Sequence, residues 1–214
     1  MNQTIEHIVL FKTRDNTEQS KIDELIQGLD DLRNLDNVLH LTTGTVHKTP
    51  SSSLSSFNVF LHSRYPTKLD LDNYMGSDQH LTLVKNVIRP INEDYMIVDW
   101  VYDHEDESLD HPSSGSALRV TFLKLKQGLL HLGEDEKTSV VKIVGEELGG
   151  GAVKQHTFGE NYAALAKGFS IASLGVFANG DELEKAGSSE EFAEKLKAKL
   201  IDFVEDVFVV DYIV

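Results

Sequence analysis

Histidine is this chain's main resource for chemistry at neutral pH: there are nine, and no cysteine. The absence of cysteine excludes disulfides, thiolate nucleophiles and thiolate zinc sites. His40, His47, His62, His104, His111, His131 and His156 show none of the close spacings that bring side chains onto one zinc ion. The acidic run "DHEDE" at 103–107 offers carboxylates, but consecutive residues rarely converge on one ion, and it reads as a solvated stretch. "GEELGGG" at 145–151 lacks the lysine of a phosphate-binding loop and reads as a helix end. Two histidines remain, His7 and His80. A histidine that titrates near neutrality can take a proton next to a carbonyl, and a tyrosine can polarise the oxygen. What these two do depends on the elements that carry them.

Those elements are written twice. "EDYMIVDW" at 93–100 returns as "EDVFVVDY" at 205–212, with Glu93, Asp94, Val98 and Asp99 repeated as Glu205, Asp206, Val210 and Asp211. "HIVLFKTR" at 7–14 aligns with "RVTFLKLK" at 119–126 at the same offset. Phe57 pairs with Phe169, Tyr65 with Phe177 and Leu71 with Leu183. Gly44 pairs with Gly159 three residues out of step, which places a length change in the loop after the second strand. Self-similarity over half the chain means internal duplication. The stretch "DHEDESLDHPSSGSA" at 103–117, acidic and then serine-rich, reads as a surface linker between the copies. The expected units are therefore residues 1–102 and 118–214.

Each copy reads as strand, helix, strand, strand, helix, strand. In the first copy a strand at 5–12 leads to a helix from about 17 to 35, with Ile22, Leu25, Ile26, Leu29 and Leu32 as its apolar stripe. Asn16 with Gln19 resembles a capping pair. Strands follow near 38–47 and 57–65, joined by the exposed turn "KTPSSSLSS" containing Pro50. Helical pieces at 68–74 and 78–91 come next, with Ser77 as N-cap and Pro90 helping to stop the second.

A strand with one wet face should alternate apolar and polar residues. The last strands do not: Tyr95 and Ile97 lie on one face, and Met96, Val98 and Trp100 on the other. Val207 and Val209 stand likewise against Phe208, Val210 and Tyr212. The first strand has His7, Val9 and Phe11 on one face, Ile8 and Leu10 on the other. Helices can cover only one face of each sheet. The two sheets are therefore expected to face each other as a barrel-like sandwich, an α+β fold of two ferredoxin-like repeats. On this reading "EDYMIVDW" carries architecture and no chemistry.

"HIVLFK", "KIDELIQGLDDL", "NYMGSDQH" and "EDYMIVDW", with their counterparts in the second copy, resemble the stress-responsive dimeric α/β-barrel (Dabb) family, in a tandem two-repeat form of the plant type. The resemblance implies ferredoxin-like units that pair into a barrel. It includes, as a better-defined relative, olivetolic acid cyclase, which closes a polyketide chain by aldol condensation. That type of site uses a first-strand histidine plus a tyrosine and a histidine six residues apart, and the matching positions are His7, Tyr74 and His80. Two departures stand out. Ser77-Asp78-Gln79-His80 replaces the family's His-Pro-x-His, and Val59 stands where the family has a further histidine. The second copy carries Arg119, Ala186 and Phe192 at the three site positions, so any site is expected in the first copy alone. Its apolar stripe turns His80 towards the core, where a histidine hydrogen-bonded to Tyr74 is the plainer alternative. The resemblance also implies a magnesium ion held by backbone carbonyls after the first helix, at Arg33, Asp36 and Val38, or at Glu147, Gly150 and Val153 in the second copy.

The resulting expectation is a stress-response protein that binds a small hydrophobic ligand in its first copy, or is non-catalytic, with no required cofactor. The alternative is a cyclase or lyase acting on a polyketide-like substrate. A net charge of −15 without a basic cluster disfavours nucleic acid and anionic membranes. "MNQTIEHIVLF" does not read as a signal peptide, so the expected compartment is the cytoplasm, or an organelle if a targeting segment has been removed. The pairing face is consumed inside the chain as a pseudo-dimer; a homodimer could still form by exchange of halves across the linker.

Overall fold

The computed structural model describes residues 2–47, 56–105, 109–129 and 153–214. The serine-rich turn up to residue 55, the end of "DHEDE", His131 and "GEELGGG" with Glu147 and Gly150 lie outside the described residues.

The first half runs β1 (Asn2–Thr13), α1 (Gln19–Asp31), β2 (His40–Thr45), β3 (Val59–Tyr65), α2 (Lys68–Gly76), α3 (Asp78–Leu83), α4 (Arg89–Ile91) and β4 (Asn92–His104). The second runs β5 (Ala117–Leu125), β6 (Gln155–Glu160), β7 (Ile171–Phe177), α5 (Gly180–Lys185), α6 (Ser189–Lys199) and β8 (Val204–Ile213). The sheets have the same order, β2-β3-β1-β4 and β6-β7-β5-β8, and every ladder is antiparallel. Ser77 caps α3 by accepting from His80 N. The capping pair expected of Asn16 and Gln19 does not form. Asn16 takes the left-handed turn (φ 68), and α1 begins after Glu18, which makes no side-chain cap. The helix expected over 78–91 is broken by a π-helical turn, Val84–Ile88, just before Pro90. Proline has no N–H for the regular ladder, and a widened turn absorbs the mismatch.

The two-faced strands find the partners that their pattern requires. Ile8, Leu10, Phe60, Met96, Val98 and Trp100 from one sheet pack against Leu118, Val120, Phe122, Leu174, Phe208 and Val210 from the other. The opposite face of the first sheet, with Ile5, Val9, Phe11, Val59 and Leu61, packs on Leu25, Leu29, Leu71, Tyr74 and Leu83 of the helices. The sheets thus face each other, but they do not close into one continuous hydrogen-bonded barrel. Their edges are bridged by separate bonds, such as Tyr162 N to Asp99 O and, across the pseudo-twofold, His47 N to Asp211 O.

Two glycines make those edges meet. A Cβ on Gly159 would stand 2.9 Å from both Val101 O and the Trp100 ring, and one on Gly44 would stand 3.0 Å from the Tyr212 hydroxyl. Trp100 and Tyr212 are counterparts in the repeat, so one packing solution is used twice.

At one end the apolar layer gives way to a buried polar plug. Glu6 points between the sheets and accepts from His62 Nε2 (2.6 Å), Arg64 Nε (3.1 Å) and Thr157 Oγ1 of the second sheet (2.9 Å). Burial works to raise the Glu6 pKa, but Arg64 and His62 override it and hold the carboxyl well below its usual range. Burial lowers the pKa of His62. Its Nδ1 has no partner among the described residues, so a charged ring would bury an unpaired donor, and the neutral ring with Nε2–H facing Glu6 is the stable form. His40 lies between His62, to which it is tilted, and His111, on which it stacks, with ring centroids 5.3 Å from each, and burial lowers its pKa to about 2. The linker is tied here: Arg64 Nη1 donates to Asp110 O, and Pro112 and Ser116 are buried.

Two outcomes follow from these contacts. Gly159→Ala should destabilise the chain by about 1–3 kcal/mol, as overpacking does, read as a lower urea midpoint; an unchanged midpoint would contradict the close approach. His40 and His62 stay neutral when folded but take protons in the unfolded chain near pH 6.5, so the unfolded state binds more protons below that pH. Stability should therefore be level near neutrality and fall as pH drops below about 6.5, with Glu6 adding to the loss once unfolded carboxylates protonate. Urea midpoints at pH 7 and pH 5 test this, and equal values would contradict it.

Candidate functional site

His7 lies on the helix-facing side of β1, directly opposite Asp99 of β4 in the ladder. Its Nδ1 lies 2.6 Å from Asp99 Oδ1. A carboxylate only accepts, so Nδ1 carries the proton and Nε2 is left free. His7 is 2% exposed and Asp99 8%. Asp99 belongs to the "EDYMIVDW" strand, so that strand, expected to carry architecture alone, also contributes a side chain to the candidate site. The second copy repeats the position: Arg119 opposes Asp211 and binds it through Nε (2.8 Å) and Nη2 (2.9 Å). An aspartate opposite the first-strand position is thus common to both copies, and only its partner changes. That repetition was the available signal for Asp99.

Tyr74 comes from α2, placed by a helix whose N-cap Thr67 accepts from Asp70 N. It is buried, and burial pushes its phenol pKa up, so the hydroxyl stays protonated as a hydrogen-bond donor. Its ring centroid lies 6.3 Å from that of His7 and 5.1 Å from that of His80. The Tyr65 hydroxyl, 3.0 Å from Ser63 Oγ, backs the group, with its ring 5.1 Å from Tyr74.

His80 sits in the first turn of α3, half-buried. The alternative of a ring satisfied by Tyr74 is not what forms. Nδ1 donates to the Met75 carbonyl (2.9 Å), which fixes the tautomer and leaves Nε2 as an acceptor. Burial lowers the His80 pKa, the Met75 carbonyl opposing it, and nearby His7 lowers it further. The ring is therefore held in its neutral, basic form.

All three residues line one cavity of about 350 Å³ between the sheet and the helices. Its other walls are mainly apolar, with Val9, Phe11, Leu29, Leu61, Val84, Ile88 and Ile97 among them, and Arg89, Asn92 and Glu93 add polar groups to the lining. Val84 and Ile88 belong to the π-helical turn, so the break before Pro90 shapes the chamber. Leu165, from the second half of the chain, completes the wall, which the repeat pattern did not reveal. In the second copy Phe192 replaces His80 and lies 5.0 Å from the Arg119 guanidinium. Val59, where the resemblance implied a further histidine, is fully buried in the helix-side core.

The carbonyl cluster implied for magnesium falls on the turn after α1. Arg33 lies in the 3-10 turn Leu32–Asn34, and Asp36 and Val38 follow, with Val38 N donating to Leu35 O. Magnesium favours carboxylates and waters in strict octahedral geometry. Among the described residues no three His, Cys, Asp or Glu side chains gather as a metal site, so an ion at this turn would be held by backbone carbonyls. No helix among the described residues is long and apolar enough to cross a membrane.

This architecture has known counterparts. The family model of the stress responsive A/B barrel domain matches residues 5–102. The chain is 40% identical over 214 residues to a stress-response A/B barrel domain-containing protein of Arabidopsis thaliana, covering 100% of this chain and 80% of that protein. It is 35% identical to a second Arabidopsis thaliana protein described in the same words, over 99% of this chain and 97% of that one. Among solved structures, a Fusobacterium nucleatum protein provisionally assigned as a monooxygenase superposes with a TM-score of 0.63 at 13% identity, over 98% of this chain and 91% of that one, a likeness of fold alone. Two sheets of one order, a matching first half and full-length relatives at this identity lead to one conclusion: the chain belongs to the stress-response A/B barrel (Dabb) family.

Proposed function

We propose that the first repeat binds a small, mainly apolar molecule in the cavity under α2 and α3, with an oxygen function of that molecule at His7, Tyr74 and His80. The supporting observation is the cavity itself: about 350 Å³, apolar on most sides, and touching both histidines. A core filled at that place would have left no room for a ligand. Apolar chambers with a few convergent polar groups are the usual form of small-molecule sites. A neutral apolar fluorophore, N-phenyl-1-naphthylamine, should bind the full chain with a rise in emission, and Val84→Trp, which fills the chamber, should lower its affinity at least tenfold. Equal binding by both proteins would overturn the reading.

The His7–Asp99 pair favours a second reading, acid–base chemistry on a polyketide-like substrate. An imidazole Nε2 takes a proton from the carbon next to a carbonyl. The Tyr74 hydroxyl donates to that carbonyl oxygen as charge develops on it. The carbanion attacks a second carbonyl of the same molecule, and the proton returns to the new alkoxide. Asp99 holds the neighbouring His7 ring in one orientation, and the proton is taken by His80. His80→Ala should lower turnover by about 10²–10⁴-fold, the usual share of a general base, without unfolding the chain. Because the His80 pKa is lowered, its basic form persists below pH 6.5, and the acid limb of the rate profile should lie below that value. Turnover unchanged by His80→Ala would remove His80 from the mechanism.

A further inference from the structure

The second repeat has no first-strand histidine, but its loop between β6 and β7 reaches the site of the first. Asp99 is held through its backbone on both sides by this loop: Asp99 N donates to Asn161 Oδ1 (3.0 Å), and Tyr162 N donates to Asp99 O (3.0 Å). Two residues earlier in β4, Ile97 N donates to Leu165 O (3.1 Å). The loop therefore follows the free edge of β4 like a short extra strand. Asn161 is itself fixed, with Nδ2 donating to Ala163 O and Phe169 O, and Oδ1 also accepting from Ala163 N. Leu165 lines the inner chamber, and Tyr162 and Leu165 line a second, outer cavity of about 480 Å³ that shares His7 with the first.

The pseudo-twofold supplies an internal control. His47 N donates to Asp211 O just as Tyr162 N donates to Asp99 O, so Asn161 corresponds to Val46. Valine has no side-chain acceptor for the Asp211 N–H. Where Arg119 grips Asp211 with two bonds, the carboxylate is oriented without help. Where a single short bond joins Asp99 to His7, an asparagine from the other repeat fixes the backbone of the aspartate.

We propose that the Asn161–Leu165 loop of the second repeat completes the site of the first: Asn161 is a positioning residue for the Asp99–His7 pair, and Leu165 is the wall that sets which molecules the chamber retains. The wall rests on the cavity's being a ligand site; the positioning role does not.

Two measurements on the full chain test this. Long-range ¹H–¹⁵N spectra of the histidine rings should show His7 as a single Nδ1–H tautomer. Asn161→Ala should turn this into an averaged or mixed signal, and Asn161→Asp, which keeps an acceptor for Asp99 N, should restore it. An unchanged His7 signal in Asn161→Ala, whatever the shift in Tm, would overturn the positioning role. If Asn161→Ala does not fold, Asn161→Asp decides alone: a retained single tautomer supports the role, and a mixed signal in a folded protein overturns it. For the wall, Leu165→Trp should lower the affinity for N-phenyl-1-naphthylamine at least tenfold, and Leu165→Ala should speed its release severalfold. Leu165 is about half exposed, so these variants spare the core. Probe binding that Val84→Trp abolishes but Leu165 variants leave unchanged would overturn the wall alone. No probe binding by the unaltered chain would overturn the ligand site and the wall together, while the His7 signal still decides on Asn161.

Discussion

The burial of both faces of both sheets is the constraint on which everything else here depends. A four-stranded antiparallel sheet with helices on one side leaves its other face to water or to another sheet. In this chain that other face carries Ile8, Leu10, Met96, Val98 and Trp100, and water is not a tolerable neighbour for so continuous an apolar surface. The second sheet covers it, and the arrangement then dictates details far from the core. Edges must approach closely, so Gly44 and Gly159 lie under Tyr212 and Trp100. One end must close, and there Glu6, His62 and Arg64 exchange an apolar layer for a hydrogen-bonded polar one. Removing one member of such a buried set costs far more than the set contributes as a whole, which makes the plug a fastener for the relative placement of the sheets.

The two copies solve one geometrical problem with different chemistry. Each presents an aspartate on its last strand to the residue opposite on its first. With arginine as the partner, charge is matched by a two-bond grip. With histidine the same carboxylate holds a ring by its Nδ1–H alone. The neighbouring positions follow suit, with Tyr74 and His80 around a chamber in the first copy and Ala186 and Phe192 in the second.

The duplication, the strand order and the facing sheets were legible because they rest on period-two patterns repeated at a fixed offset, a signal that burial imposes on every inward position. Ser77 as a cap was equally local. Asn16 was not, because its left-handed φ answers to the turn after β1 and not to the helix that follows. The carboxylate of Asp99 was visible as a repeated letter, but its pairing with His7 is a matter of ladder register, which a single strand does not state. The polar plug escaped notice for a related reason. Glu6, His62 and Arg64 occupy inward positions on their strands, but their charges compensate one another only once β1 and β3 are aligned. The fixed tautomer of His80 depends on a carbonyl five residues back, and the wall supplied by Leu165 on a contact between halves; neither has a sequence period.

The mismatch between Val46 and Asn161 has a consequence for how such a barrel can change over time. In a barrel assembled from two identical chains, every substitution appears on both sides of the twofold axis, so a residue that helps one site must also be tolerated at the other. Joining the halves in one polypeptide lifts that condition. One half can line its cavity with histidine and tyrosine while the other carries different side chains and lends a loop residue to that cavity's wall, and a symmetric container becomes an asymmetric one.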